Sequence, residues 1–180
     1  MIGKGKSISH GTAALEYDLA KEIDGQTAAI EIARHELYGC TGAEMVQEMK
    51  PYHADFPNVK NNCLRFEVSP SIEESATFTD ADWAELGNDF MQRMGLANHQ
   101  YIIIRHSGTE SKKEQAHLHI LANRVSLSGE LYRDNWIGKK ATEAANAIAK
   151  ERNFVQSQDI GKANKAEIKE AMNEVLKKLQ

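Results

Sequence analysis

Gln100-Tyr101-Ile102-Ile103-Ile104-Arg105-His106 is followed, after a polar loop over 107–115, by His117-Leu118-His119-Ile120-Leu121-Ala122-Asn123-Arg124-Val125. The first run is β-branched and aromatic, as expected of a central strand, and the second alternates with the period of a half-buried strand. Two such strands joined by a polar loop read as an antiparallel hairpin at the centre of a sheet. Side chains alternate between faces along a strand, so His117 and His119 share one face. The hairpin returns His106, at the end of the first strand, beside that pair. Three imidazoles on one face can hold a divalent metal and leave coordination positions open. The plainer reading is a solvated sheet face on which histidine occurs by chance. Asn123 falls on the histidine side of its strand, where it either orients a ligand or the bound phosphate or closes the strand as a turn residue.

Working outward, Cys63-Leu64-Arg65-Phe66-Glu67-Val68-Ser69 also alternates and is closed by Pro70. Residues 1–8 alternate weakly, which suits an edge strand. Composition favours helix from Thr12 to about Gly39, divided into two helices at Gly25. Gly42 to Met49 is amphipathic and ends before Pro51, which cannot continue a helix. Thr79 can cap a helix with Asp82 at the capping-box position. Trp83, Leu86, Phe90, Met91 and Met94 then keep helical spacing up to Gly95. Two further helices are expected, from Trp136 to about Asn153 and from Lys165 to Leu179. The order predicts an α+β fold, a central antiparallel sheet covered by helices. Residues 1–155 read as one domain and 156–180 as a C-terminal helical extension leading to further domains.

Composition excludes several classes. With 180 residues, 41% hydrophobic and 27% charged, the chain is an ordinary globular one. No apolar run nears the roughly 20 residues that span a bilayer. The N-terminus lacks the features of a signal peptide, and Cys40 and Cys63 match no metal spacing and read as free thiols. A cytoplasmic protein is expected. Twenty-two basic residues against 26 acidic ones, net −4, argue mildly against a nucleic-acid partner, although phosphate contacts need only a local basic face. Lys4, Lys6, Arg105, Lys112, Lys113, Arg124, Arg133, Lys139 and Lys140 are the candidates for one.

From Phe66 to Val125 the sequence resembles the relaxase/mobilisation nucleases, a branch of the His-hydrophobic-His endonucleases. Phe66-Glu67-Val68-Ser69-Pro70 is similar to the family's strand and turn, and Tyr101-Ile102-Ile103-Ile104-Arg105-His106 to the strand ending in its first metal histidine. His117-Leu118-His119-Ile120-Leu121-Ala122-Asn123 is similar to its His-x-His-x-x-x-Asn core. Phe78 to Trp83, Met94-Gly95-Leu96, Ser128 to Leu131 and Glu151 to Phe154 are weaker matches. The resemblance implies a relaxase fold and a divalent cation, Mg²⁺ or Mn²⁺, on His106, His117 and His119. It further implies a nucleophilic tyrosine near the N-terminus, matched by Tyr17, with Tyr38 next and Tyr52 and Tyr101 behind it. The implied substrate is single-stranded DNA at an origin of transfer on a plasmid or transposon. The implied product is a 5′-phosphotyrosyl intermediate, and accessory mobilisation proteins and a coupling protein are the implied partners.

Relatives often carry an aspartate two residues beyond the first histidine, where Gly108 stands here. Glu110 is one replacement for it. By alternation Arg105 and Arg124 face away from the histidines and would reach DNA only through loops; with Lys4, Lys6, Lys112 and Lys113 they complete the expected DNA-binding set. Two rival functions remain: a metal-dependent phosphoester hydrolase that uses the same histidines with no covalent intermediate, and a DNA-binding module with a similar sheet and no catalysis.

Overall fold

The computed structural model describes residues 1–108 and 115–178. Its elements are β1 (Ile2–Ile8), α1 (Gly11–Leu19), β2 (Glu22–Ile23), β3 (Gln26–Thr27), β4 (Ala29–His35), α2 (Gly42–Met49), β5 (Cys63–Ser69), α3 (Ile72–Ser75), α4 (Asp80–Arg93), β6 (His99–His106), β7 (His117–Ser126), α5 (Ile137–Glu151) and α6 (Ser157–Lys178). Five strands form one antiparallel sheet in the order β1-β5-β7-β6-β4. The expected hairpin is β6 paired with β7, and β7 is the middle strand. The expected α+β architecture is the one observed.

Alternation sends the strand side chains into two separate cores. Leu64, Phe66, Val68, Tyr101, Ile103, Leu118 and Ile120 meet α4 and α5 on one face. Cys63, Ile102, Ile104 and Leu121 meet Leu15 of α1 and Met45, Val46 and Met49 of α2 on the other. Helices therefore cover both faces. α5 lies close on β1 because Gly3 and Gly5 have no side chains: a Cβ at Gly3 would stand 2.4 Å from the Ala141 carbonyl oxygen. Glu16 ties the second layer together by accepting a hydrogen bond from the Ala43 amide in the first turn of α2. That amide belongs to the set a helix start leaves unpaired.

The helix expected beyond Gly25 is instead β-structure. Asp24 and Gly25 both have positive φ, 53° and 73°, and join β2 to β3. An Asp-Gly pair with this backbone makes the tight turn whose twist suits a hairpin. β4 follows as an edge strand, irregular between Glu31 and Ala33 where its pairing with β6 shifts. That irregularity blurs the two-residue period on which a strand would have been recognised. α6 also begins earlier than expected, at Ser157, and runs through Gly161 unbroken. The capping box expected at Thr79 is formed, and Thr41 makes another with Glu44 at the start of α2.

Candidate metal and DNA-binding site

His106 lies directly across from His117 in the β6–β7 ladder, and His119 across from Ile104. All three imidazoles point to the α1/α2 face, and one nitrogen from each lies within 4.8 Å of the others. The rings nearly touch: His117 Nε2 is 3.1 Å from His119 Nε2, and the His106 and His119 ring centroids are 4.3 Å apart.

The hydrogen-bond partners fix where the protons sit. His106 Nε2 donates to the Asp18 carbonyl at 2.8 Å and His117 Nδ1 donates to the Gln115 carbonyl at 3.0 Å, because a carbonyl only accepts. Each ring keeps its other nitrogen as a lone pair. A guanidinium only donates, so Arg65 Nη2, 3.2 Å from His119 Nδ1, makes that atom an acceptor and puts the His119 proton on Nε2. Burial first, then the neighbouring histidines, holds the His119 imidazole far below its ordinary range, at about 2. Burial likewise lowers His106. Converging, buried imidazoles are a donor set that a divalent transition metal takes, so the three residues can hold such a cation.

Two residues that sequence reading did not single out complete the site. Asp18 of α1 is 1% exposed and accepts two hydrogen bonds from Arg65, at 2.5 and 3.1 Å. Its Oδ1 is 3.7 Å from His119 Nδ1. Asp18 thus brings a buried carboxylate to the edge of the cluster from α1. The signals were slight: a lone arginine on the buried face of a strand and an acid beside Tyr17.

Tyr17 directly precedes Asp18, is 60% exposed, and has the Lys21 ammonium 5.7 Å from its ring centroid. Among the alternatives, Tyr38 donates its hydroxyl proton to Glu36, which raises its pKa, and Tyr101 is buried against Asn88. Tyr52 sits in the 3-10 turn that follows α2. Asn123 is fully buried; its side chain bonds His53, Gln100, the Met49 carbonyl and the Val125 amide, and none of these contacts is with the three histidines.

Of the basic candidates, Lys4 and Lys6 line a pocket of about 210 Å³ together with Arg65, Glu67 and His119. Lys4 also pairs with Glu67 at 3.0 Å. Arg105 pairs with Asp80, and Arg124 binds Asp134 and the carbonyls of Tyr132 and Asn61; neither takes part in the histidine cluster. Lys112, Lys113 and Glu110 lie outside the described residues. Burial pushes the Cys63 thiol up to about 11, in keeping with a packing role, and Cys40 is exposed and also free. Among the described residues no helix is long and apolar enough to cross a membrane.

Residues 17–154 match the family described as Relaxase: MobA/VirD2-like, nuclease domain. No curated protein matches the chain. Among solved structures, the conjugative relaxase TrwC in complex with oriT DNA, in its metal-bound form, is similar with a TM-score of 0.46 and 13% identity. The match covers 89% of this chain and 71% of that one.

Proposed function

The chain belongs to the MobA/VirD2-like relaxase nucleases, and on that premise we propose that it nicks one DNA strand at an origin of transfer through Tyr17. The Tyr17 oxygen attacks a backbone phosphorus as its hydroxyl proton leaves. A Tyr–O–P bond forms and the bond from phosphorus to the 3′-oxygen breaks. That oxygen takes up a proton, giving a 5′-phosphotyrosyl strand and a free 3′-hydroxyl. The covalent phosphoester stores the bond, so a 3′-hydroxyl can reverse the step after transfer. Mobilisation of a plasmid or transposon is the setting this chemistry serves, in the cytoplasm, with accessory mobilisation proteins and a coupling protein as partners.

One observation carries the reading: α1 is fastened to the histidine cluster through Asp18, the residue beside Tyr17. A divalent cation held by His106, His117 and His119, Mg²⁺ or Mn²⁺, would draw charge from a non-bridging phosphate oxygen. To offer Nε2 as a ligand atom, His119 must carry its proton on Nδ1, which would turn that nitrogen from Arg65, whose hydrogen bond it now accepts, toward Asp18 Oδ1 at 3.7 Å. Lys4 and Lys6 meet the phosphates of the incoming strand from the pocket beside His119. Lys112 and Lys113 add further positive charge for the strand, and Arg105 and Arg124 contribute only indirectly, through the segments they brace. Asn123 acts at one remove, holding the turn after α2 against β7. Residues 1–155 form the catalytic domain and 156–180 its extension.

The test mixes the chain with single-stranded oligonucleotides from its mobile element, with Mn²⁺, Mg²⁺ or chelator, and resolves protein–DNA adducts on denaturing gels. The expected result is a metal-dependent adduct that disappears in Tyr17→Phe and in His117→Ala, with DNA binding kept in the first. Cleavage without an adduct would replace the covalent mechanism by hydrolysis. Binding without cleavage would leave a DNA-binding module. An adduct persisting in Tyr17→Phe would move the nucleophile to another tyrosine.

A further inference from the structure

Trp136 is 79% exposed and has a left-handed backbone, φ 58° and ψ 28°, at the residue preceding α5. Both features are unfavourable for this side chain. A bulky residue seldom adopts positive φ, and an indole loses by facing water. The position asks locally for a residue such as Asn, which tolerates that backbone and caps a helix. Trp136 supplies no side-chain cap. Its conformation is nevertheless imposed firmly. Arg124 clamps the preceding segment through the Tyr132 carbonyl and Asp134, the Ile137 amide bonds the Asp134 carbonyl, and Lys140 Nζ bonds the Arg133 carbonyl.

The surroundings are basic and continuous with the site. Lys139 is exposed and pairs with Glu143 at 3.8 Å, and Arg133 is exposed with no carboxylate partner among the described residues. Asp134 is neutralised by Arg124, and the first turn of α5 contains no acid. That turn abuts β1: a Cβ on Gly138 would lie 3.5 Å from the Gly5 carbonyl oxygen. Lys4 and Lys6 flank Gly5 and project to the opposite face, into the pocket they share with His119. A path flanked by basic side chains, Lys4 (paired with Glu67) and Lys6 at one end and Arg133 and Lys139 (paired with Glu143) at the other, thus runs round the β1 edge from the histidines to the indole.

Resting on the relaxase reading, we propose that Trp136 is a stacking platform for an unpaired base of the single-stranded DNA, at the end of this path. Charge selects a phosphate backbone, and an exposed, rigidly held indole offers the sequence-tolerant face on which single-strand binders stack bases.

The chain reports on this itself. It has two tryptophans, and Trp83 is 2% exposed, so quenching by added DNA reads Trp136. The full chain in EDTA is titrated with a mixed-sequence 20-nucleotide single strand, the same strand with abasic sites, and the duplex. The single strand should quench the fluorescence, and the abasic strand and duplex should do so much less. Trp136→Asn suits the backbone better than the native residue, so it should fold. It should bind the single strand roughly tenfold or more weakly, while Trp136→Phe keeps most of the affinity. Mn²⁺ affinity should be unchanged in both, which establishes an intact histidine cluster.

Equal quenching by the abasic strand, or single-strand binding unaltered in Trp136→Asn, would overturn the platform while leaving adduct formation, and with it the relaxase reading, intact. A concentration-dependent dimer lost in Trp136→Asn would assign the indole to a second copy of the chain instead. No single-strand binding by the native protein would sink both readings together.

Discussion

Asp18 performs three tasks with one residue: its carbonyl receives His106, its carboxylate receives Arg65, and one carboxylate oxygen stands near His119. Removing one partner of a buried ion pair costs about 3–5 kcal/mol, and the solvent contact left to Arg65 puts Asp18→Ala at the low end. Asp18→Asn keeps the shape but loses the charge that would hold a proton on His119 Nδ1. We expect it to retain the fold by circular dichroism and to bind Mn²⁺ roughly 10–100-fold more weakly by calorimetry. Unchanged Mn²⁺ affinity in that variant would reduce Asp18 to an anchor for α1. A second expectation concerns protons. Burial lowers His99, His106 and His119 from the ordinary 6.5. The unfolded chain accepts protons on all three below about pH 6.5, whereas the native chain resists them. Acidification through that value therefore removes stability, with up to three protons in the difference. In EDTA the melting temperature should drop steadily from pH 7 to 5, and a flat profile would contradict it. The histidines could be read from spacing and alternation alone. Asp18 and Arg65 could not, since only the packing of α1 across the sheet brings them together.

Among the elements, those with local chemistry were legible and those defined by their neighbours were not. The capping box at Thr79 and the alternation of β5 announce themselves within a few residues. β4 does not: Ile30 is exposed, its register with β6 shifts after Glu31, and the turn ahead of it depends on two consecutive positive φ values. A helix-rich composition there outweighed a single Asp-Gly pair. The junction of α5 with β1 is likewise a matter of contact, resting on Gly3 and Gly5 beneath Ala141 and Ala145. A Cβ at Gly3 would meet the Ala145 Cβ at 2.6 Å as well as backbone, and backbone cannot rotate away. Gly3→Ala should therefore cost about 1–3 kcal/mol, measured as a lower urea midpoint with an unchanged slope. A midpoint equal to that of the native chain would mean that α5 can lift without penalty.

At the scale of the whole molecule, the two cores close around one sheet, and among the described residues none of α6 belongs to either. Ile168 and Met172 of α6 are exposed, and Ser157 is fastened to Asn146 at the start of the helix. Ending the chain after Gln156 should leave one cooperative transition, a melting temperature within about 4 °C of the original, and undiminished Mn²⁺ binding, as calorimetry would show. Loss of cooperativity would make α6 part of the catalytic domain. The strand order has a consequence for synthesis. β7 is the last strand to leave the ribosome yet the middle one of the sheet, and β1 and β4, made early, reach each other only through it. A nascent chain halted before residue 117 can join β1 to β5 and β4 to β6, giving two ribbons with open edges. Emergence of His117 to Ser126 sews them into one sheet. The strand that brings two of the three histidines is therefore also the one that completes the fold, and a truncated translation product has neither the sheet nor the full histidine set.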